Sequence, residues 1–391
     1  MNKIPYTLAK SLITGLVLAF LTGTINAQQT CSDETIMNTT GKWKKQTDAN
    51  PFPDQSFPKN QYLQVTSRID KMQGFLQAAY PEPKGIEASW YHSISGNAEV
   101  KGGPVPYELD AAFHAYYCNS YDHKLELGGE TGTLFFVWAN QINSWFAKYI
   151  KYYTIHKLPV YLLNKKAGEL DGYPVFEGVE NGTSNTGTVY SRAIIITRSG
   201  QSPYLPVSQK QFLKAFLNYN EKSFQKALAF QKNRAVKTDE EEEAGKKKNL
   251  ETIERVTMPD KLARAKDNYL RNYKTSKQIK EETTNNMVNN YEKGMKPGRE
   301  LLADSLKTDL EQPAVLDFNN LLLFKEFRTE DKGGQQLVQL NPDYFDMTLP
   351  RYVPQVMIVY WAWDDKKPGN YWKDQIEKNL NIHALKEMID K

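Results

Sequence analysis

The chain has 391 residues, with 50 Lys and Arg against 46 Asp and Glu and a formal charge of +4 at pH 7. So even a balance gives no strong field, and no basic face or stripe is evident, which excludes the usual nucleic-acid binder. With 40% hydrophobic and 12% aromatic residues the chain can bury a sizeable core, and its length suggests two domains or one large domain with an insertion.

Residues 1–27 carry the three parts of a secretory signal peptide. Lys3 and Lys10 supply the positive region, "SLITGLVLAFLTG" from Ser11 to Gly23 the apolar core, and compact residues ending at Ala27 the cleavage site. The apolar run is shorter than the ~20 residues that span a bilayer, so cleavage after Ala27 is expected rather than an anchor. Gln28, Gln29 and Thr30 do not resemble a bacterial lipobox, so no lipid is expected on Cys31. No later segment has the length and apolarity of a membrane span. The mature chain is therefore expected to be soluble and exported, periplasmic or secreted. Both cysteines, Cys31 and Cys118, survive cleavage. In an oxidising compartment an even pair favours a disulfide. Two unpaired buried thiols, or a Cys118 nucleophile beside His114 or His123, are the alternatives.

Residues from Gln28 to about Asn60 read as irregular, with three prolines in "DANPFPDQSFPKN". Tyr62, Val65, Ile69, Met72, Phe75 and Leu76 then recur at helical spacing and predict an amphipathic helix. "EASWYHSIS", "LDAAFHAYYC", "DHKLELGG" and "GTLFFVWAN" read as strands, with a hairpin around Gly128 to Gly132. "LDAAFHAYY" also fits a helix. "NQINSWFAKYI" predicts a short helix. "LPVYLLN", "YPVFEGV" and "VYSRAIIITRS" are strands, with a polar loop over 180–188. The stretch "IIITRSGQSPYLPVSQKQFL" packs a buried strand, a turn at Gly200 and an extended edge segment fixed by Pro203 and Pro206. A helix start follows, where Ser208 and Gln211 have capping-box spacing and Val207 and Phe212 flank them as a hydrophobic staple.

From Val236 the composition changes. "KTDEEEEAGKKKN" reads as a solvated linker or an exposed helix turn. A sparse helix follows, with Thr257 as cap, Pro259 inside it and Leu262, Tyr269, Tyr273 and Met287 on a narrow stripe. It can pack on the body or contact a partner. "LLLFKEFRTEDKGGQQLVQLN" reads as two strands joined at Asp331 to Gly334. Val356 to Trp363 is apolar throughout, which belongs in the centre of a sheet covered on both faces. An amphipathic helix broken near Asn381 closes the chain. The expected fold is α+β, with antiparallel-rich sheets packed by amphipathic helices. The expected division is a signal peptide (1–27), a strand-rich α+β domain ending in a long helix (28–235), a charged, mainly helical insertion or arm (236–311), and C-terminal strands and helix (312–391) packing back on the first domain.

Motifs for chemistry are scarce. The Ser199 to Ser202 turn lacks both the Gly-x-Ser-x-Gly elbow and a phosphate-binding glycine pattern. "SFQK", Ser223 to Lys226, fits Ser-x-x-Lys but has neither of its partner motifs. The histidines His92, His114, His123, His156 and His383 form no His-Glu-x-x-His. His114, His123 and Glu126 are the candidate metal ligands if they meet across neighbouring strands; hydrogen-bonded structural histidines are the alternative. No cofactor is expected. Glu126 with Glu130, or Asp364 with Asp365, are the carboxylate pairs for hydrolytic chemistry. Trp361, Trp363 and Trp372 are read as core, with ligand stacking as the alternative.

The blocks "SPYLPVSQKQFL" and "LNPDYFDMTLPRYVPQVMIV" resemble a pattern in uncharacterised exported proteins of Bacteroidota-type bacteria. The resemblance covers about thirty residues and implies a compartment and no activity. The expected function is non-catalytic binding of an envelope ligand or protein partner. The alternatives are a hydrolase acting on envelope polymers or peptides, using the set around His92, His114 and His123, and a structural interaction protein using the helical arm.

Overall fold

The computed structural model describes residues 31–46, 58–94, 98–146, 148–155, 158–178, 183–184, 187–304, 309–319 and 323–391. The signal peptide with its Ala27 cleavage point lies outside the described residues, as do most of the 48–60 and 180–188 loops.

Helix α1 (Asp33–Asn38) and strand β1 (Trp43–Lys45) occupy a stretch expected to be irregular. Ser32 and Thr35 cap α1 reciprocally, a signal masked in the sequence by its polar, proline-rich surroundings. Helix α2 (Lys59–Ala79) buries Val65, Ile69, Met72 and Leu76 on one stripe. Strands β2 (Ile86–Ile94) and β3 (Tyr107–Cys118) follow, so the ambiguous 109–117 segment is strand. Strand β4 (Leu125–Ala139) runs unbroken through the expected hairpin, and the reversal lies before it, in the turn between Cys118 and Leu125. Gly132 serves close approach rather than reversal: a Cβ there would come within 2.2 Å of the Val189 side chain.

The expected helix over 140–150 is a single turn at Asn143–Trp145 followed by strand β5 (Lys148–Ile155). Tyr149 and Ile150 favour extended backbone and pair with Tyr161 and Val160 of β6 (Leu158–Leu162). Strands β7 (Lys166–Leu170), β8 (Tyr173–Glu177), β9 (Thr183–Ser184), β10 (Gly187–Thr197) and β11 (Tyr204–Pro206) lead to helix α3 (Gln209–Lys232). At its start Gln211 donates its N–H to Ser208 Oγ at 3.2 Å, and Ser208 donates its N–H to Gln211 Oε1 at 2.9 Å. Val207 and Phe212 are fully buried on either side of this cap.

The charged arm is three helices, α4 (Asp239–Val256), α5 (Pro259–Asn272) and α6 (Ser276–Ala303). Of the two readings of the 237–249 run, exposed helix holds from Asp239 on, because Thr238 and Glu241 form a capping box and four acidic residues complement the dipole of the first turn. The single helix expected after it is corrected. Thr257 ends α4 instead of capping α5, and a Thr275–Gln278 box divides the expected single helix. Strands β12 (Val315–Leu316), β13 (Gln335–Leu340) and β14 (Val356–Asp364) and helices α7 (Lys367–Asn379) and α8 (Ile382–Lys386) complete the chain, with Asn381 capping α8. Residues 323–329, expected as strand, are not strand. Phe324 and Phe327 pack on Phe212 instead.

The chain forms two compact units, one of Met1–Trp145, Lys166–Gln201 and Phe345–Lys391, the other of Phe146–Lys165 and Ser202–Tyr344. The 312–391 segment therefore contributes β13 to the second unit and β14 to the first. The first unit holds a sheet ordered β1-β2-β3-β4-β14-β10-β8-β7, with β9 on β10. Every pairing in it is antiparallel except β1 with β2. Helices α2, α7 and α8 cover one face, over a core that includes Phe113, Phe135, Trp361 and Trp372. The second unit holds an antiparallel sheet ordered β11-β13-β6-β5, with β12 on β13. Strand β11 lies at its edge, where Pro206 needs no ladder donor. Helix α6 lies along α3, where Tyr291 stacks on Phe224 at 4.0 Å.

Cys31 and Cys118 are joined, with Cα atoms 5.5 Å apart and 87 residues of separation. Closing a loop of that length is worth about 4 kcal/mol in the chain-entropy model. Cys118→Ser is expected to lower the unfolding free energy by that order, read from urea midpoints with and without reductant; equal midpoints would refute the bridge. Ser208→Ala is expected to cost about 1 kcal/mol through the lost cap. Denaturant unfolding followed by circular dichroism checks this, and an unchanged midpoint would show that the cap carries no weight.

Candidate functional site

The histidines singled out in the sequence do not converge. His92 faces the helices, 3% exposed, with Nε2 3.0 Å from Asp70 Oδ1. His114 is on the opposite face of the sheet, where Nε2 lies 3.5 Å from Ser89 Oγ. His123 sits in the β3–β4 turn with φ of 53°. Glu126 is taken up by Tyr117, whose hydroxyl donates to it at 2.7 Å, and by Asn119 Nδ2 at 3.0 Å. Glu126 pairs with Tyr117, three residues along β3 from His114, or roughly 10 Å at strand rise. Among the described residues no group of three His, Cys, Asp or Glu side chains is placed to hold a metal ion. The candidate set His114, His123 and Glu126 does not assemble: strand spacing and the turn separate its members. Ser223 and Lys226 are exposed on α3, and the Ser202 hydroxyl is used locally, donating to the Tyr204 carbonyl at 2.7 Å. Trp361, Trp363 and Trp372 all lie in the helix-covered core.

What does converge is on the face of the large sheet turned away from the helices. Strand alternation puts Leu109, Ala111 and Phe113 under α2 and α7, so Glu108, Asp110 and His114 point the other way. Cross-strand register then builds two rows on that face. Ser93, Glu108, Trp138 and Ile358 form one, and Tyr91, Asp110, Phe136 and Tyr360 the next. Three rings make a shelf. Phe136 and Trp138 stack at 5.4 Å and 21°, and Tyr360 lies 5.3 Å from Trp138 and 5.8 Å from Phe136. All three, with Tyr91, are half-buried, so each keeps surface open to solvent.

The carboxyls beside the shelf are held by it. Glu108 accepts hydrogen bonds from Ser93 and from the Trp138 indole, yet burial still raises its pKa above the usual value. Burial pushes Asp110 up to about 6. A hydrogen bond from Tyr91 opposes that shift, and the charges of Glu108 and Glu130 add to it. Two residues apart on one strand, Glu108 and Asp110 have Cβ atoms about 7 Å apart on one face. A third raised carboxyl, Glu99, accepts the backbone N–H groups of Ile142 and Asn143, and burial pushes it up to about 7.

Sequence reading missed this site. The candidates the sequence offers are histidines, Cys118 and acid pairs, and within the 107–118 and 133–139 strands only His114 and Cys118 are among them. The available signal was the alternation itself: acids at positions 108 and 110 are out of phase with the apolar 107, 109, 111 and 113, and aromatics at 136 and 138 are in phase with those acids. No protein-family model matches the chain, no curated protein matches it, and no solved structure matches it.

The raised carboxyls have a consequence for stability. A carboxyl with a raised folded pKa stabilises the fold fully below its unfolded pKa, and that contribution is lost as pH rises through the folded value. Stability is therefore expected to fall between about pH 4 and about pH 7, with Asp110 and Glu99 responsible for part of the slope. Asp110→Asn and Glu99→Gln keep the acceptor oxygens and should each flatten the fall. Urea midpoints from pH 4 to 8 check this; variant curves parallel to the parent would remove the assignment.

Proposed function

We propose that this chain is an exported envelope protein that binds a ligand without turning it over, and that the ligand lies on the Phe136–Trp138–Tyr360 shelf. The observation that carries the reading is the pairing of half-open aromatic rings with acceptor carboxyls on one rigid sheet. A ring face gives a large apolar contact at low entropic cost, and Glu108 and Asp110 beside it accept hydrogen bonds. That combination suits a polyhydroxylated ring, whose C–H face stacks while its hydroxyls donate. Export is supported by the signal-peptide pattern and by the disulfide, which persists in oxidising compartments. No helix among the described residues is long and apolar enough to cross a membrane.

One observation favours hydrolysis of an envelope polymer as a second reading. The Glu108 and Asp110 spacing falls within the ~5–10 Å that glycoside hydrolysis uses, and both acids hold their protons to higher pH than usual. One experiment separates the readings. Tryptophan fluorescence is titrated with a soluble N-acetylglucosamine tetramer, and the mixture is then chromatographed for shorter products. Saturable binding without products is expected, weakened tenfold or more by Trp138→Ala, which corresponds to about 1.4 kcal/mol. Products that vanish in Asp110→Asn would establish the hydrolase instead. A tetramer that does not bind at millimolar concentration would remove the shelf as a saccharide site.

A further inference from the structure

The first unit has a cavity of about 560 Å³ away from the aromatic shelf, at the end of the sheet where α1, the last residues of β3 and the start of α7 come together. That volume lies within the range of about 300–1,000 Å³ that holds drug-sized ligands. Its apolar walls are Ile36 of α1, the Ala115 to Tyr117 segment of β3 and Pro368 of α7. The Cys31–Cys118 bridge is next in sequence to both α1 and the β3 segment, so one covalent bond fixes two walls at their shared corner. The α1 wall is also seated from behind. Gly85, at φ of 71°, lets Ile36 and Pro368 approach so closely that a Cβ there would come within 2.8 Å of Pro368.

The charges at the cavity divide into satisfied and unsatisfied groups. Asp33 pairs with Lys367 at 3.0 Å. Asp364 is buried, and its Oδ1 accepts the Lys366 backbone N–H at 3.2 Å. The hydroxyls of Tyr116 and Tyr117 are committed to Glu87 and Glu126. Asp365 and Lys366 remain. Both line the cavity and both are exposed, and neither side chain has a hydrogen bond or ion pair among the described residues. The Asp365 carboxylate is admitted by Gly187, whose Cβ, if it had one, would lie 2.1 Å from Oδ1.

An unpaired anion and an unpaired cation on adjacent residues, at the rim of an apolar cavity, match a ligand that carries one charge of each sign and apolar atoms between. We propose that this cavity binds a short peptide with free termini. Asp365 takes the ammonium, Lys366 takes the carboxylate, and the walls formed by Ile36, Tyr116, Tyr117 and Pro368 take the side chains. A single amino acid is too small to fill the volume, and a longer chain would leave the cavity before its second terminus reached the other charge. Isolated surface ion pairs are worth little, so the apolar walls supply most of the affinity and the charges supply the choice of ligand.

The test is calorimetric titration of the mature, disulfide-bonded chain with trialanine, and separately with trialanine acetylated at its N-terminus or amidated at its C-terminus. Trialanine is expected to bind, and each capped form to bind at least tenfold more weakly. Asp365→Asn should erase the penalty for acetylation, and Lys366→Gln the penalty for amidation, with thermal unfolding unchanged because both side chains are exposed. This cross-pattern is what a merely structural role would not give. No binding of trialanine at 10 mM, equal binding of free and capped forms, or equal affinity in the parent and both variants would each overturn the proposal.

Discussion

The pairing of β14 between β4 and β10 is the constraint on which the first unit depends. Val356 to Thr197 and Asp364 to Val189 mark the two ends of a nine-residue antiparallel register on one side of the strand. Met357 to Ala139 and Ala362 to Leu134 mark the register on the other. Because side chains alternate with a period of two, that register decides every facing in the sheet. Val359 and Trp361 go under the helices, and Ile358 and Tyr360 go to the opposite face. A slip by one residue would put Tyr360 into the core and take the third ring out of the shelf. The core and the site are therefore two outcomes of a single alignment.

The same alignment shapes the electrostatics. A carboxyl in the middle of a broad sheet is far from bulk water even when nothing polar is missing around it. Glu108 and Asp110 are each hydrogen-bonded, yet burial is the largest influence on both. Charged partners occur mainly at the edges of the unit. Arg192 meets Glu377 at 2.7 Å, and Arg198 meets Asp390 at 2.9 Å. Glu108 and Asp110, by contrast, have hydrogen-bonding partners and no ion pair among the described residues. Acids perturbed in this way beside aromatic rings are what make this face the candidate site.

Local signals were legible in the sequence wherever a few neighbouring residues decide the outcome. Ser208 with Gln211 fixed the start of α3, Pro206 marked an edge strand, and the apolar run from Val356 marked a central one. Signals that depend on distant partners were not legible. Gly132 reads as part of a turn because the neighbour that requires it, Val189, is far away in sequence. Phe324 and Phe327 read as strand because the rings they meet, led by Phe212, belong to a helix more than a hundred residues earlier. The functional face was hidden for the same reason. Trp138, Glu108 and Tyr360 are unremarkable one at a time, and only the registers of three strands bring them together. Two capping boxes in the arm, Thr238–Glu241 and Thr275–Gln278, are local signals of the same kind, set among charged residues with almost no apolar periodicity to mark the helices they open.

The order of synthesis adds a kinetic dimension to the central strand. β4 and β10 both leave the ribosome more than 150 residues ahead of β14, and each then presents an unpaired edge. The strand that closes both edges lies at residues 356–364 of 391. Until it arrives, the nascent chain carries two open apolar edges that can pair with other chains. The native sheet is thus a late, non-local event, of the kind that folds slowly. A chain built this way keeps two strand edges open until residues 356–364 are available, and it is exposed to aggregation in that interval.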